Sequence, residues 1–274
     1  MPSRSSLPIG LFDSGIGGLT VAQQVMSLMP HENIVYFGDT ARVPYGSKSS
    51  ETVIEYSLQA QGFLESIGVK MIIIACNTAS SVALEAVRSV ASVPVLGVIE
   101  PGATAASAAT RSRIVGVIGT EGTIRSQAYQ QALRHMLPDV TVLDRACPLF
   151  VSLAEEGYSH HEVTRIMARE YLQPMLARSI DTLILGCTHY PVLEPSIASI
   201  AGSGVTLINP AVATAELARA TLESMDLLNA SASLPRHTYY LSDFPHKFVE
   251  VGERFLGHRL EHVHRISLDQ LTHE

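Results

Sequence analysis

The sequence predicts an α/β fold: two pseudo-symmetric parallel-sheet α/β domains facing each other across a central cleft. Three observations predict it. The chain has 274 residues, which at roughly 150 per domain corresponds to about two domains. Short apolar runs alternate with helix-period segments almost throughout, the mark of βαβ units and a parallel sheet. The first half also resembles the second, so each half would offer the same strand ends to a shared cleft.

Taken in order, strands are expected at residues 9–12, 33–37, 71–75 and 93–98 in the first half. In the second they are expected at 114–118, 140–143, 182–185 and 205–208. These are continuous apolar runs, as strands covered on both faces require. Residues 19–29 place Val21, Val25 and Leu28 on one helical face. The run PGATAASAA, residues 101–109, predicts a small-residue helix that packs closely where the chain crosses between domains. Residues 1–8 are expected to be a frayed tail.

The repeat pairs IGLFDSGIGG (9–18) with VGVIGTEGTI (115–124), and IIIACNTAS (72–80) with LILGCTHYP (183–191). Spacing agrees: 63 residues separate Asp13 from Cys76, and 68 separate Gly119 from Cys187. VPVLGVIEP and GVTLINPA then close each half with another strand.

Composition narrows the function classes. Hydrophobic residues make up 46% and charged residues 16%, against a typical charged share of about 25%. Net charge is -7 and the 19 Lys and Arg are scattered, which argues against a nucleic-acid partner. No apolar core precedes Asp13, so no secretory signal is expected. The run from Met71 to Cys76 is far shorter than the roughly 18 residues of a membrane span. Three cysteines, Cys76, Cys147 and Cys187, make no disulfide framework. A cytoplasmic protein with free thiols and small-molecule ligands is expected.

In parallel sheets ligands bind beyond the carboxyl ends of the strands, and Cys76 and Cys187 both stand there. Each follows a hydrophobic strand and a small residue, Ala75 or Gly186. Asn77 and Thr78 follow the first, Thr188 and His189 the second. A thiol at such a turn is expected to be kept as thiolate by the helix N-terminus and nearby donors. Inverting a stereocentre removes a proton from one face and returns one to the other, so two opposed thiols suit that task. The first turn, DSGIGGLT, resembles a phosphate loop but has Thr20 where a third glycine would stand. Its backbone N–H groups and Ser14 suit an anion such as a carboxylate. Asp13 suits an ammonium group or assistance to a thiol. GDTARVPYG (38–46) is a loop whose Tyr45 and amides would close over a ligand.

FDSGIGGLT, GDTARVPYG, ACNTAS, CPLFV and GCTHYP resemble, in order and spacing from about Ile9 to Ala215, the signature segments of the glutamate racemases, in the aspartate/glutamate racemase superfamily. The resemblance implies that residues 1–100 plus 211–274 form a first, discontinuous domain and residues 101–210 a second. It implies conversion of L-glutamate to D-glutamate for peptidoglycan synthesis, with no cofactor and no metal. By position, Cys76 and Cys187 match the catalytic cysteines, with Asp13 and His189 beside them. Asp13, Ser14, Pro44, Tyr45, Gly46, Asn77, Thr78, Thr120, Thr188 and His189 match substrate-binding or assisting positions. Asp39 and Glu155 lie where the family keeps acidic residues near the site. Enzymes of this kind often dimerise, so a homodimer is among the expected states, although no patch of the sequence marks an interface. Ser152, Ala154 and Asn209 depart from the pattern, which more often has Pro, Val and Asp there.

Other features read as structural. Cys147 has no counterpart in the other half and suits a packed thiol. His160 and His161 suit a solvated helix start. His258, His262 and His264 lack the carboxylate or Cys spacing of a metal site. The alternative within the superfamily is a racemase of another amino acid, such as aspartate, or a one-cysteine decarboxylase. Outside it stand a two-lobed binding protein, which leaves the matched thiols unexplained, and a Cys76–Cys187 redox disulfide, which lacks a C-x-x-C motif.

Overall fold

The computed structural model describes residues 3–231, 233–244 and 247–271. In the first half β1 (Ile9–Asp13), β2 (Ile34–Gly38), β3 (Met71–Ile74) and β4 (Val95–Gly97) alternate with α1 (Leu19–Leu28), α2 (Ser50–Ile67) and α3 (Asn77–Val90). The second half holds β5 (Ile114–Gly119), β6 (Thr141–Ala146), β7 (Thr182–Gly186) and β8 (Thr206–Ile208). Between those strands lie α5 (Glu121–Ser126), α6 (Ala128–Met136), α7 (Leu149–Glu155), α8 (Glu162–Leu176) and α9 (Glu194–Ala201). Two crossover helices, α4 (Ile99–Ala109) and α10 (Pro210–Ser224), join the halves; β9 (His237–Leu241), α11 (Phe248–Leu256) and β10 (Val263–Arg265) follow.

The strands form two all-parallel sheets, ordered β10-β9-β2-β1-β3-β4 and β6-β5-β7-β8. The stretch β2-β1-β3-β4 repeats as β6-β5-β7-β8, so the weak sequence repeat is a repeat of topology. In each sheet the first strand of the half lies beside the one that runs into a cysteine. Phe12 pairs with Ile74, and Gly119 with Gly186. All residues of β1, β2, β3 and β7 are buried, which explains their unbroken apolar sequences. β6 is an edge strand and continues through Asp144 and Arg145; the apolar pattern stops at 143 because an edge lets charges reach solvent.

Local signals set the helix ends. The Ser49 hydroxyl accepts from the Thr52 N–H at the start of α2, and Gly68, at φ +86°, ends it in the left-handed region. Asn209 caps α10 through the Ala211 N–H, with Pro210 at its first position. Close packing at the crossover is as the small-residue run predicts: a Cβ on Gly102 of α4 would lie 3.0 Å from Cβ of Pro210.

The amino-terminal segment differs from the expected frayed tail. Residues Arg4–Ser6 form a 3-10 turn, Ser6 O accepts from Asn33 Nδ2, and Ser5 O accepts from Lys70 Nζ at 2.6 Å. The cause is the buried Lys70 ammonium, which pairs with Glu32 at 2.5 Å and needs further acceptors to be tolerated there. Met1 and Pro2 lie outside the described residues. No described helix is long and apolar enough to cross a membrane.

Candidate active site

The two cysteines reach one place by the same device. A small residue, Ala75 after β3 and Gly186 at the end of β7, precedes each cysteine, and the chain turns outward at once. Cys76 becomes the N-cap of α3, and Cys187 precedes a 3-10 turn at Tyr190–Leu193. Gly186 is required for this: a Cβ there would sit 2.7 Å from Ile118 O of the neighbouring strand. Both thiols are free and buried, and both line one cavity of about 90 Å³ between the lobes. A Cys76–Cys187 disulfide is therefore not present.

Ser14, Pro44, Tyr45, Gly46, Asn77, Thr78, Thr120, Glu155, Thr188 and His189 line the same cavity. Gly15, Ile16, Val43 and Val151 complete its wall. Asp13 and Asp39 do not line it. Asp13 lies behind, its Oδ2 accepting from the Gly15 N–H at 2.9 Å while its buried Oδ1 has no hydrogen-bond partner. Burial pushes the Asp13 carboxyl up, against the pull of the His189 charge and three backbone N–H groups.

Asp39 acts on the loop that follows β2. Its Oδ2 accepts from the Tyr45 hydroxyl at 2.5 Å and from Arg42 Nε at 2.7 Å, and its Oδ1 accepts from the Ser242 hydroxyl at 2.8 Å. Tyr45 is thus fixed from below rather than free to swing over the cavity. Burial, then the Asp39 charge, pushes its phenol far up, so it remains a donor.

The surroundings of the two thiols differ. Cys76 Sγ lies 3.7 Å from Ser14 Oγ. Burial, then the Asp13 charge, pushes the thiol up to about 12 despite the Ala79 N–H and the Ser14 hydroxyl. The expectation that a helix N-terminus keeps this thiol ionised fails here, because desolvation outweighs the few donors. Cys187 Sγ faces His189 Nδ1 at 3.8 Å, and His189 Nε2 lies 3.0 Å from Glu155 Oε1. Burial alone would depress His189, but its bonds to Cys187 and Glu155 and their charges together push it up to about 10. An imidazolium is the partner a thiolate base needs.

Hydroxyls and glycines close the lobes on each other. Thr78 Oγ1 of the first lobe lies 2.8 Å from Thr120 Oγ1 of the second, and Thr123 Oγ1 is within 3.3 Å of both. The Thr20 hydroxyl donates to Thr188 O at 2.9 Å. Any Cβ on Gly17 would fall 2.5 Å from His189 Nδ1 and closer still to Thr188. Gly46 likewise sits against Thr120.

Sequence reasoning missed several supporting residues. Ser242 and Arg42 hold Asp39, and the Tyr129 hydroxyl donates to Asn77 Oδ1 at 2.7 Å. Phe255 of α11 meets the His189 ring edge-on at 5.5 Å, and Arg254 donates to Glu155 O. Thr123 lies in a segment of the repeat and Arg42 within GDTARVPYG, whereas Ser242, Tyr129, Phe255 and Arg254 reach the site from distant chain positions. Of the features read as structural, Cys147 is buried outside the cavity and donates weakly to Arg145 O at 3.6 Å. His161 caps α8 by accepting from the Val163 N–H. Among the described residues no group of three or more His, Cys, Asp or Glu is arranged to hold a metal ion.

The model of the Asp/Glu/hydantoin racemase family matches residues 20–218. A glutamate racemase of Geobacter metallireducens is 51% identical over 261 residues, 95% of this chain and 97% of that protein. Among solved structures, the glutamate racemase of Francisella tularensis in complex with D-glutamate superposes with a TM-score of 0.91 at 42% identity, covering 97% of this chain and 99% of that one. The Thermus thermophilus glutamate racemase in complex with β-chloro-D-alanine gives 0.89 at 42% identity, covering 98% and 100%. With two lobes of repeated topology meeting at two thiols, and with the family model spanning most of both, the chain belongs to the Asp/Glu/hydantoin racemase family.

Proposed function

We infer that this protein is a cofactor-independent glutamate racemase that interconverts L-glutamate and D-glutamate by two-base proton transfer. The observation that carries the reading is one free thiol from each lobe in the wall of a single cavity. The relatives named above are glutamate racemases over nearly their whole length.

The surroundings of the two thiols support an order of events: for L-glutamate, Cys187, which faces His189, is the base, and Cys76, which lies beside Ser14 and is pushed toward the thiol by burial, is the acid. The Cys187 thiolate takes the Cα proton and becomes a thiol. The Cys76 thiol gives its proton to the opposite face and becomes a thiolate. The exchanged enzyme then runs the reverse reaction or re-equilibrates its protons with water. The carbanion carries charge onto the α-carboxylate, so donors must stabilise a developing dianion. Ser14, Asn77, Thr78, Thr120 and Thr188 supply them, and the Pro44–Tyr45–Gly46 segment forms the adjoining wall. Asp13 assists through Cys76, Glu155 through His189, and Asp39 by holding Tyr45.

The reading includes the domain division 1–100 with 211–274 and 101–210, which the membership of the two sheets supports. It also includes D-glutamate supply for peptidoglycan, a cytoplasmic location and a homodimer, the last checked by light scattering. The deciding experiment follows optical rotation of L-glutamate, and separately L-aspartate, without added cofactor. Decay of the glutamate signal to zero with aspartate untouched is expected. Turnover of aspartate alone overturns the substrate assignment, and turnover of neither overturns racemisation.

A further inference from the structure

Asn77 is the first residue of α3, directly after Cys76, and it is buried in the wall of the cavity between the lobes. An asparagine amide carries an acceptor at one end and donors at the other. Rotation about its last side-chain bond is soft, so the rotamer by itself does not decide which end faces the cavity. A carboxylate needs the donor end. The acceptor end, turned to the same oxygen, would repel it.

A residue of the opposite lobe makes the choice. The Tyr129 hydroxyl, on α6, donates to Asn77 Oδ1 at 2.7 Å. That bond commits the acceptor end of the amide and leaves Nδ2 on the other side. The reversed amide would set Nδ2 against the phenol oxygen and cost the phenol proton its acceptor, and an unpaired buried donor is expensive. Burial, then the Cys187 charge, pushes the phenol well up, so the hydroxyl keeps the proton it donates.

Tyr129 has no room to swing. It is 1% exposed, and each edge of its ring lies against a glycine. A Cβ on Gly186, the residue before Cys187, would come within 3.1 Å of its Cε2, and one on Gly102 of α4 within 3.3 Å of its Cε1. One phenol thus packs beside the strand end that carries one thiol and bonds to the amide that follows the other. It does this from behind, because Tyr129 does not line the cavity.

We propose that Tyr129 is a positioning residue for racemisation: by bonding Asn77 Oδ1 across the lobes, it holds the amide with Nδ2 toward the α-carboxylate of the substrate. The amide is then already a donor when charge develops there, which is where preorganised donors act most strongly. The proposal rests on the racemase reading of this cavity and adds to it a residue outside the cavity wall.

A double-variant cycle separates positioning from packing. Tyr129→Phe keeps the ring between the two glycines and removes the hydroxyl alone. In the parent background it should lower kcat/KM for L-glutamate about tenfold, within what one hydrogen bond contributes. It should also weaken D-glutamate binding several-fold in calorimetric titration. Asn77→Ala should lower kcat/KM by on the order of 10²–10³. Added to Asn77→Ala, Tyr129→Phe should change rate and affinity by less than about twofold, because the amide it orients is gone. Equal losses in both backgrounds would make Tyr129 a packing residue only, and no loss in the parent background would mean that Asn77 orients itself. Either result overturns the proposal and leaves the racemase reading intact. A parent protein that neither turns over nor binds glutamate overturns the racemase reading, and the proposal with it.

Discussion

His189 Nε2 lies 3.0 Å from Glu155 Oε1, so one imidazole edge is tied to a carboxylate of the same lobe. The other edge faces Cys187 Sγ at 3.8 Å. Around Cys76 the first lobe places the Ala79 N–H, the Ser14 hydroxyl and the Asp13 carboxyl behind it, rather than an imidazole. The pseudo-symmetry of the two sheets therefore stops short of the groups that tune the thiols, and the predictions follow from that asymmetry.

Cys76→Ser and Cys187→Ser are each expected to abolish racemisation, while Cys147→Ser keeps most of it. A serine hydroxyl is far too weakly acidic to replace a thiolate near neutral pH. Steady-state rates of purified variants check this. Full activity in either of the first two ends the two-thiol mechanism.

Glu155→Gln should move the alkaline limb of kcat/KM to lower pH. His189 is raised above its ordinary value of 6.5 to about 10, so its imidazolium persists until pH climbs through that folded value. Removing the carboxylate lowers the value and ends the imidazolium sooner. The Glu155 side chain is 45% exposed, so solvent screening keeps the shift modest. A pH–rate profile in which Glu155→Asp partly restores the limb is the expected outcome; an unmoved limb separates Glu155 from His189.

Early turnover of L-glutamate in D₂O should give D-glutamate deuterated at Cα while the remaining L-glutamate stays protiated. Each thiol serves one face, and the donor has already exchanged with water. Proton NMR of the Cα signal reads this out. Substantial protiated product would mean one shared base and reduce either Cys76 or Cys187 to a supporting role.

Gly17→Ala should cut activity steeply, because the added methyl overlaps Thr188 and His189 across the cleft. Overpacking of this kind costs typically 1–3 kcal/mol. Thermal unfolding and kcat measured together should both fall, and unchanged kcat would show that the lobes can shift apart without harm.

Lys70→Met should destabilise the fold by about 3–5 kcal/mol, since it leaves Glu32 buried without its cation. The double variant Lys70→Met, Glu32→Leu should recover much of the loss. Denaturant midpoints test both, and the racemisation rate of folded protein should be unaffected.

The sequence by itself determined the eight strands of the two repeated sheets, because buried parallel strands must be apolar along their length. It also determined both thiol positions, because the repeat marks the same strand end twice. The strand-end positions and the resemblance together supplied the residues around them, and ten of those line the cavity. Strands β9 and β10 were not legible: they lie at the outer edge of their sheet, and His237 to Leu241 mixes polar and apolar residues.

Tertiary structure alone decided what those residues do for one another. Asp13 and Asp39 are near the cavity in sequence terms but stand behind it, one beneath Ser14 and one beneath Tyr45. Ser242 and Phe255 reach the site from far along the chain. Whether a thiol is held protonated depends on how deeply the folded chain buries it and which charges lie within a few ångströms. Local sequence specifies strands and turns through short-range sterics and hydropathy, whereas desolvation and pairing depend on contacts between distant segments.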